Sequence, residues 1–303
     1  MLKDLNILII GGDRREVDLY LHLKKMGANA SLFGFNNFKN LEVVLSDGGL
    51  LEQLKIADVI ITPLSGIEAN GEIYAPFAGD RITINRKEIL TAINPEAIFI
   101  AGYIHQTLKK IFKENGIRFY ETRGMDEIST LNAIPTAEGA IQYAMAHTDK
   151  TIHNSQSFVL GFGRCGKILA DTLKALGAEV TVVARRWEVL AWVEALKMIP
   201  LHLDDLKKEI GKAEVIYNTI PFPILDADVL CNVNKSALII DIASFPWGVD
   251  YAAAERLNIR TILLPGLPGK VAPKTASKIL CRVYPPLILS LLKGGGKIGF
   301  NGS

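Results

Sequence analysis

Six residues, Gly161-Phe-Gly163-Arg164-Cys165-Gly166, have the types and spacing of a turn that holds a diphosphate. They follow an apolar run, Phe158 to Leu160, and open a helix-like segment that closes at Gly177. Gly161 permits the tight strand-to-helix turn, and Gly163 has no Cβ to keep a pyrophosphate from the backbone. Gly166 lets the helix lie close on the strand, with its N-terminus, headed by Arg164 and Cys165, facing the anion. The next strand, Glu179 to Ala184, ends in Arg185 and Arg186. An acidic residue there suits the ribose hydroxyls of NAD, whereas two arginines suit the 2′-phosphate of NADP. The expected cofactor is NADP. A purely structural turn followed by solvated arginines is the plainer alternative.

Two further strand ends should meet the same cofactor. Asn218-Thr219-Ile220-Pro221 offers small polar groups for the nicotinamide ribose and the diphosphate edge. Asp241-Ile-Ala243-Ser244 brings backbone within reach of the nicotinamide. Ordinary capping of strand ends would also explain both.

For an anionic substrate the candidates are Ser65, Thr136 and Lys274. Ser65 lies beside Gly66 in a glycine-rich loop, Thr62 to Gly71, that leaves the carboxyl end of a strand, where ligands of open α/β sheets bind. Thr136 follows Pro135, read as the first residue of a helix whose N-terminus favours a carboxylate. Lys274 supplies an ammonium in a loop-to-helix turn. Each also has a structural explanation as a cap or a solvated charge. His105, after the strand-end segment Ala101-Gly-Tyr-Ile, is a candidate acid or base. Glu138 is a candidate base, although capping its own helix accounts for it as well. His22, His147, His153 and His202 have no pattern that asks for chemistry. HExxH, GxSxG, P-loop and CxxC motifs are missing, which disfavours metalloprotease, hydrolase and kinase chemistry.

These residues need elements to hold them. The chain has 303 residues, 49% of them hydrophobic, and a net charge of +2. That length fits two domains, the apolar content fits sheets buried on both faces, and the charge argues against bulk attraction to nucleic acid or membranes. Cys165, Cys231 and Cys281 form no metal or disulfide pattern, so a reducing cytosol is expected. No apolar stretch is long enough to span a membrane, Pro285 to Leu292 being the nearest, and the opening MLKDLNILIIGG reads as a first strand.

The first half repeats the second at an offset of 150 residues, Gly11 falling on Gly161 and Gly27 on Gly177. Asp13 then stands at the position of Gly163 and Glu16 at that of Gly166. A side chain blocks the close approach and two carboxylates repel a pyrophosphate, so the first copy should keep the fold without the nucleotide. The expected architecture is α/β, with two Rossmann-like doubly wound domains, the second binding the dinucleotide, and a cleft between them. Residues 1–133 make the first and 134–274 the second. A helix over 275–293 packs back on the first domain, and the glycine-rich tail 294–303 is disordered.

The segments IGGDRREV, IPTAEGAIQYAMAHTDKTIHNSQ, VLGFGRCGK, DIASFPWGVD and LLPGLPGKVAPKTA together resemble the A subunit of dipicolinate synthase over nearly the whole chain. The last is the most distinctive, while the glycine motif alone fits many dehydrogenases. The resemblance implies a cytoplasmic sporulation enzyme of the mother cell. It also implies NADP⁺-dependent oxidation of dihydrodipicolinate, derived from the lysine pathway, to dipicolinate, and a flavoprotein-like B subunit of dipicolinate synthase as partner. Two alternatives stay open. A 2-hydroxy-acid dehydrogenase shares the two-domain plan but would need an arginine and a His–Glu pair that the sequence does not offer convincingly. A non-catalytic NADP-binding subunit would bind the cofactor without turnover.

Overall fold

The computed structural model describes residues 2–39 and 49–294. Its residues group into two compact units: the chain up to Ile128 together with the segment from Pro273, and Ser129–Ala272. The division falls at Ile128, near the start of a long helix, a few residues before the expected boundary at 133.

The first unit begins with β1 (Asn6–Ile10), α1 (Arg14–Lys25), β2 (Asn29–Phe33), α2 (Leu50–Ile56) and β3 (Val59–Ile61). A two-stranded antiparallel hairpin, β4 (Glu72–Ile73) with β5 (Ile82–Thr83), then precedes α3 (Lys87–Ala92), β6 (Ile98–Ala101), α4 (Gln106–Glu114) and β7 (Arg118–Glu121). Its main sheet runs β2-β1-β3-β6-β7, all parallel. Unbroken apolar strands such as Ile7–Ile10, none more than 1% exposed, follow from burial of a parallel sheet on both faces.

The second unit contains most of α5 (Asp126–His147), then β8 (Gln156–Leu160), α6 (Arg164–Ala175), β9 (Glu179–Ala184), α7 (Trp187–Ala195), β10 (Ile199–His202), α8 (Leu206–Glu209) and β11 (Val215–Asn218). It closes with α9 (Ala227–Leu230), β12 (Leu238–Asp241), α10 (Tyr251–Arg256), β13 (Arg260–Leu263) and α11 (Leu267–Val271). The parallel order β10-β9-β8-β11-β12-β13 puts the first strand in the middle and reverses direction between β8 and β11. That is the strand order of dinucleotide-binding sheets, and its switch point opens at the carboxyl ends of β8 and β11. Alternation along β8 divides the core: Val159 joins the cluster under α5 and α6, while Phe158 and Leu160 join the one under α9 and α10. Each fully buried Leu, Ile or Val in these layers contributes on the order of 2 kcal/mol.

The expectation for α5 needs correcting. The helix starts at Asp126, not at Pro135, and Pro135 lies inside it. Asp126 and Glu127 in its first turn complement the helix dipole. Proline in a helix interior costs about 3 kcal/mol. Here burial of Ala133, Ala137, Ala140, Ile141 and Ala144 opposes that cost.

The last helix, α12 (Pro273–Leu292), belongs to the first unit and packs on α1, where the Cys281 thiol lies 3.7 Å from the Asp18 carbonyl. The glycine-rich tail beyond Gly294 lies outside the described residues. Among the described residues, no helix is long and apolar enough to cross a membrane and no side-chain cluster could hold a metal ion.

Candidate functional site

The carboxyl end of β8 runs into Gly161-Phe162-Gly163, and α6 starts at Arg164 with Gly163 as its N-cap. The three glycines do different things. Gly161 has φ +97°, and a Cβ on it would sit 2.6 Å from the Thr219 hydroxyl. A Cβ on Gly166 would sit 2.2 Å from the Gly161 carbonyl oxygen, so helix and strand touch through that position. A Cβ on Gly163 would meet nothing within 4 Å. Its lack of a side chain serves no packing in the protein and leaves a bare helix N-terminus facing open space. A cavity of about 460 Å³ lies there, lined by Ser129, the whole Gly161–Gly166 turn, and Thr219, Ile220 and Pro221. Ser129, from α5, is not legible in the sequence. It reaches the cavity only because the helix begins a full two turns before Pro135. Burial pushes the Cys165 thiol up to about 12, so it stays protonated at neutral pH.

The facing strand ends are held by a buried network. Thr219 continues β11 and donates its hydroxyl to the Leu160 carbonyl at 2.8 Å. Asn218 and Asp241, both fully buried, act behind the surface rather than on it. Asn218 accepts from the Ile220 N–H at 3.1 Å and donates to the Asp241 carboxylate at 2.9 Å. Asp241 also accepts from the N–H groups of Ala243 and Gly248, both at 3.0 Å, and from the Tyr251 hydroxyl at 2.8 Å. Burial, with the Asp241 charge beside it, pushes the Tyr251 phenol up. One carboxylate thereby shapes both the 219–221 and the 243–248 loops. Ser244 is exposed on the second of these.

At the end of β9, Arg185 and Arg186 are exposed. Arg186 lies 3.3 Å from Glu188, whereas Arg185 has no ion-pair partner among the described residues. Beside them Trp187, 72% exposed, stacks on His202 with ring centroids 4.7 Å apart and planes 12° from parallel. The His202 Nε2–H donates to the Arg185 carbonyl at 2.9 Å, and its Nδ1 accepts from the Asp204 N–H. Pairing of β9 with β10 makes this possible, setting Ala184 beside His202. Spacing along the chain gives His202 no such role.

The proposed substrate groups are distributed differently. Ser65 and Lys274 belong to the first unit, Thr136 and Glu138 to the second. Ser65 is exposed in a turn that packs hard on the chain after β6: a Cβ on Gly66 would come 2.6 Å from the Tyr103 carbonyl oxygen. Lys274 is exposed in the first turn of α12. Thr136 is not at a helix N-terminus. It lies inside α5, and its hydroxyl donates back to the Asn132 carbonyl at 2.7 Å. Glu138 is also interior and exposed, so it caps nothing. His105 is the N-cap of α4, its Nδ1 accepting from the Thr107 N–H at 3.3 Å.

The equivalent turn of the first unit is closed by its own side chains. Asp13 caps α1 through the Arg15 N–H, and the Glu16 carboxylate accepts from the Asp13 N–H at 2.8 Å. Arg15 grips both oxygens of Asp13 at 2.9 Å. The Gly12 N–H is taken by the Tyr74 carbonyl at 2.7 Å. Donors that a diphosphate would use in the second unit are thus satisfied internally in the first. Burial pushes the Glu16 carboxyl up to about 7 against the pull of Arg15. Between its ordinary value of 4.5 and that value the folded protein keeps a proton that the unfolded chain has lost, so stability falls as pH rises through this window. Glu16→Gln, which keeps an acceptor for the Asp13 N–H, is expected to flatten that fall. Melting temperatures recorded from pH 4.5 to 8 check it, and an unchanged slope contradicts it.

A family model for the N-terminal domain of the dipicolinate synthase A subunit matches residues 6–123. The curated A subunit of Bacillus subtilis dipicolinate synthase is 35% identical over 98% of this chain and all of its own. The chain belongs to the family of dipicolinate synthase A subunits. Two solved structures from that family superpose on it, both 34% identical. The Bacillus halodurans protein has a TM-score of 0.87, covering 95% of this chain and 99% of its own; the Bacillus subtilis protein has 0.86, covering 98% and 99%. The resemblance read from the PGLPGKVAPKTA and IPTAEG segments is therefore borne out, as is the class of two parallel α/β domains. Beyond this family the likeness is one of fold. An NAD⁺-bound 3-phosphoglycerate dehydrogenase from Entamoeba histolytica matches at 12% identity with a TM-score of 0.60, covering 98% of this chain and 99% of its own.

Proposed function

We propose that this protein is the dehydrogenase of dipicolinate formation, oxidising dihydrodipicolinate with NADP⁺ and working beside a B subunit in the cytoplasm of a sporulating cell. Family membership supports the reaction. The observation that carries the cofactor is the open helix N-terminus at Gly163, with an exposed, unpaired Arg185 at the end of the neighbouring strand. The residues present fit a 2′-phosphorylated dinucleotide: N–H groups of the Gly161–Gly166 turn would hold the diphosphate, and Arg185 would pair with the added phosphate.

Held by the Gly161–Gly166 turn and Arg185, NADP⁺ would supply the acceptor for the hydride that leaves a ring carbon of the substrate. A proton goes to a base or to water, and the ring becomes an aromatic pyridine, which supplies driving force. The protein's part is to bind and orient. Asn218 and Asp241 hold the two loops that would border the nicotinamide end, and the Tyr251 hydroxyl donates to Asp241. The test is to supply freshly generated dihydrodipicolinate and NADP⁺ to the protein with its partner subunit, following NADPH and dipicolinate. Formation of both is expected. Tight NADP⁺ binding with no turnover beside the partner would favour a binding subunit without catalysis.

The Trp187–His202 stack suits the adenine ring, since one indole face is covered by His202 and the side chain is largely open to solvent. NADP⁺ is expected to quench tryptophan fluorescence, and Trp187→Phe is expected to remove most of the quenching. A titration in which the variant quenches as fully as the parent assigns the signal elsewhere.

A further inference from the structure

We infer that the groove between α1 and α12 docks the partner subunit, taking an acidic segment of that protein with an apolar side chain at its centre. The inference rests on the reading of this chain as one of two cooperating subunits and gives that reading a surface.

A cavity of about 500 Å³ lies between the two helices, wholly within the first unit. Asp18, Leu21 and Lys25 line it from α1, and Lys278, Cys281 and Arg282 from α12. Leu21, 38% exposed, and the half-buried Cys281 give it an apolar floor. That floor is rigid, because Ala276, Leu280, Val283 and Tyr284 bury the other face of α12. Lys25, Lys278 and Arg282 are exposed around it, and Asp18 is the one acid among the described lining residues.

The charges on α12 are arranged against the stability of the chain alone. Lys274, Lys278 and Arg282 follow one another at intervals of four, which stacks like charges on one exposed face. The helix contains no Asp or Glu to separate them. Lys274 and Lys278 also fall in its first two turns, where the helix dipole disfavours a cation. Arg282 meets Glu127 at 3.0 Å, whereas Lys278 has no ion-pair partner among the described residues. Such a pattern asks for a counter-charge from outside the chain. The net charge is only +2, so the field is local to the groove and steers one acidic surface rather than coating the molecule with polyanion. From Lys274 to Arg282 the stripe runs about 12 Å along the axis, the reach of a protein segment rather than of a small anion. The apolar floor says the same, since an inorganic anion has nothing to place on it. The chain belongs to a family of synthase subunits, and a segment with carboxylates flanking one apolar side chain would meet both walls and the floor.

The experiment immobilises the full chain and follows binding of the purified B subunit by interferometry, at low and at raised salt. The melting temperature and the oligomeric state of each variant alone are recorded in parallel. Lys278→Glu sets a carboxylate near the positive end of α12 and four residues before Arg282, the orientation that favours a helix. Its melting temperature is therefore expected to be unchanged or raised. Its affinity for the B subunit is expected to fall by about tenfold, chiefly through slower association, and raised salt should narrow the difference. Lys25→Glu, on the opposite wall, should weaken the B subunit as well, while Lys278→Arg should keep it. NADP⁺ affinity should stay within about twofold throughout. B-subunit binding unchanged in both glutamate variants overturns the docking site and leaves the functional reading standing. A lowered melting temperature of Lys278→Glu together with lost binding makes the residue structural and overturns it too. So does a change in self-association of the isolated chain with the B subunit still bound, which would assign the groove to a second copy. Wild-type protein that binds no B subunit removes the reading of two cooperating subunits and the inference with it.

Discussion

Gly163→Asp is expected to abolish dinucleotide binding, by at least about a hundredfold, while leaving the protein as stable as before or slightly more so. The substitution copies the first unit, where Asp13 occupies the corresponding N-cap with φ −113° and ψ −156°. Gly163 has nearly the same backbone, φ −76° and ψ −164°, and open space where its Cβ would go. Aspartate can therefore be accommodated, and as an N-cap it satisfies a helix N–H that glycine leaves bare, worth a few tenths of a kcal/mol over glycine. The same carboxylate stands where the diphosphate must approach and repels it. Neighbouring glycines cannot make this separation. Alanine at Gly161 or Gly166 brings a Cβ within 2.6 or 2.2 Å of other protein atoms, so those variants would lose the fold together with the site. Thermal melting and NADP⁺ titration of the same sample provide the check. A Gly163→Asp variant that still binds would move the cofactor away from this turn.

Arg185→Ala is expected to weaken NADP⁺ by roughly tenfold to a hundredfold and NAD⁺ by no more than about twofold. A charge-assisted hydrogen bond to phosphate contributes about 1.5–3 kcal/mol, the upper figure only where water is excluded. Arg185 is exposed, so the lower half of that range is the better guide, and raised salt should shrink the effect. Arg186→Ala should matter less, because its guanidinium already lies 3.3 Å from Glu188. Parallel titrations with the two cofactors decide the matter. Equal loss for both would mean that Arg185 does not read the 2′-phosphate.

Legibility in the sequence follows the range of the interaction concerned. Turns that demand glycine are local, so Gly161, Gly177 and their counterparts Gly11 and Gly27, all with positive φ, can be found from spacing. Strands buried on both faces announce themselves as apolar runs, and β9 matches the sequence reading residue for residue. The start of α5 is misplaced by the sequence because Pro135 is a strong local signal for a first turn. Packing of its alanine face outweighs that signal, and with the helix starting earlier, Thr136 and Glu138 lose the roles a first turn would give them. Asn218 and Asp241 are visible as strand-end polar residues. That they support the loops from behind, instead of meeting a ligand, depends on their burial.

The sequence by itself determined the parallel α/β class, the two related units, the glycine turn of the second unit, and the family. All of these follow from backbone preferences and residue types within a few turns of chain. Tertiary structure alone decided that α12 returns to the first unit and that Trp187 meets His202 across β9 and β10. It also decided that Ser129 faces the glycine turn. These are contacts between residues far apart or on separate elements, set by which faces must leave water together, and no local spacing encodes them. The glycine turn could be read before the fold was known. The side chains around it acquire their roles only when the strands are laid beside one another.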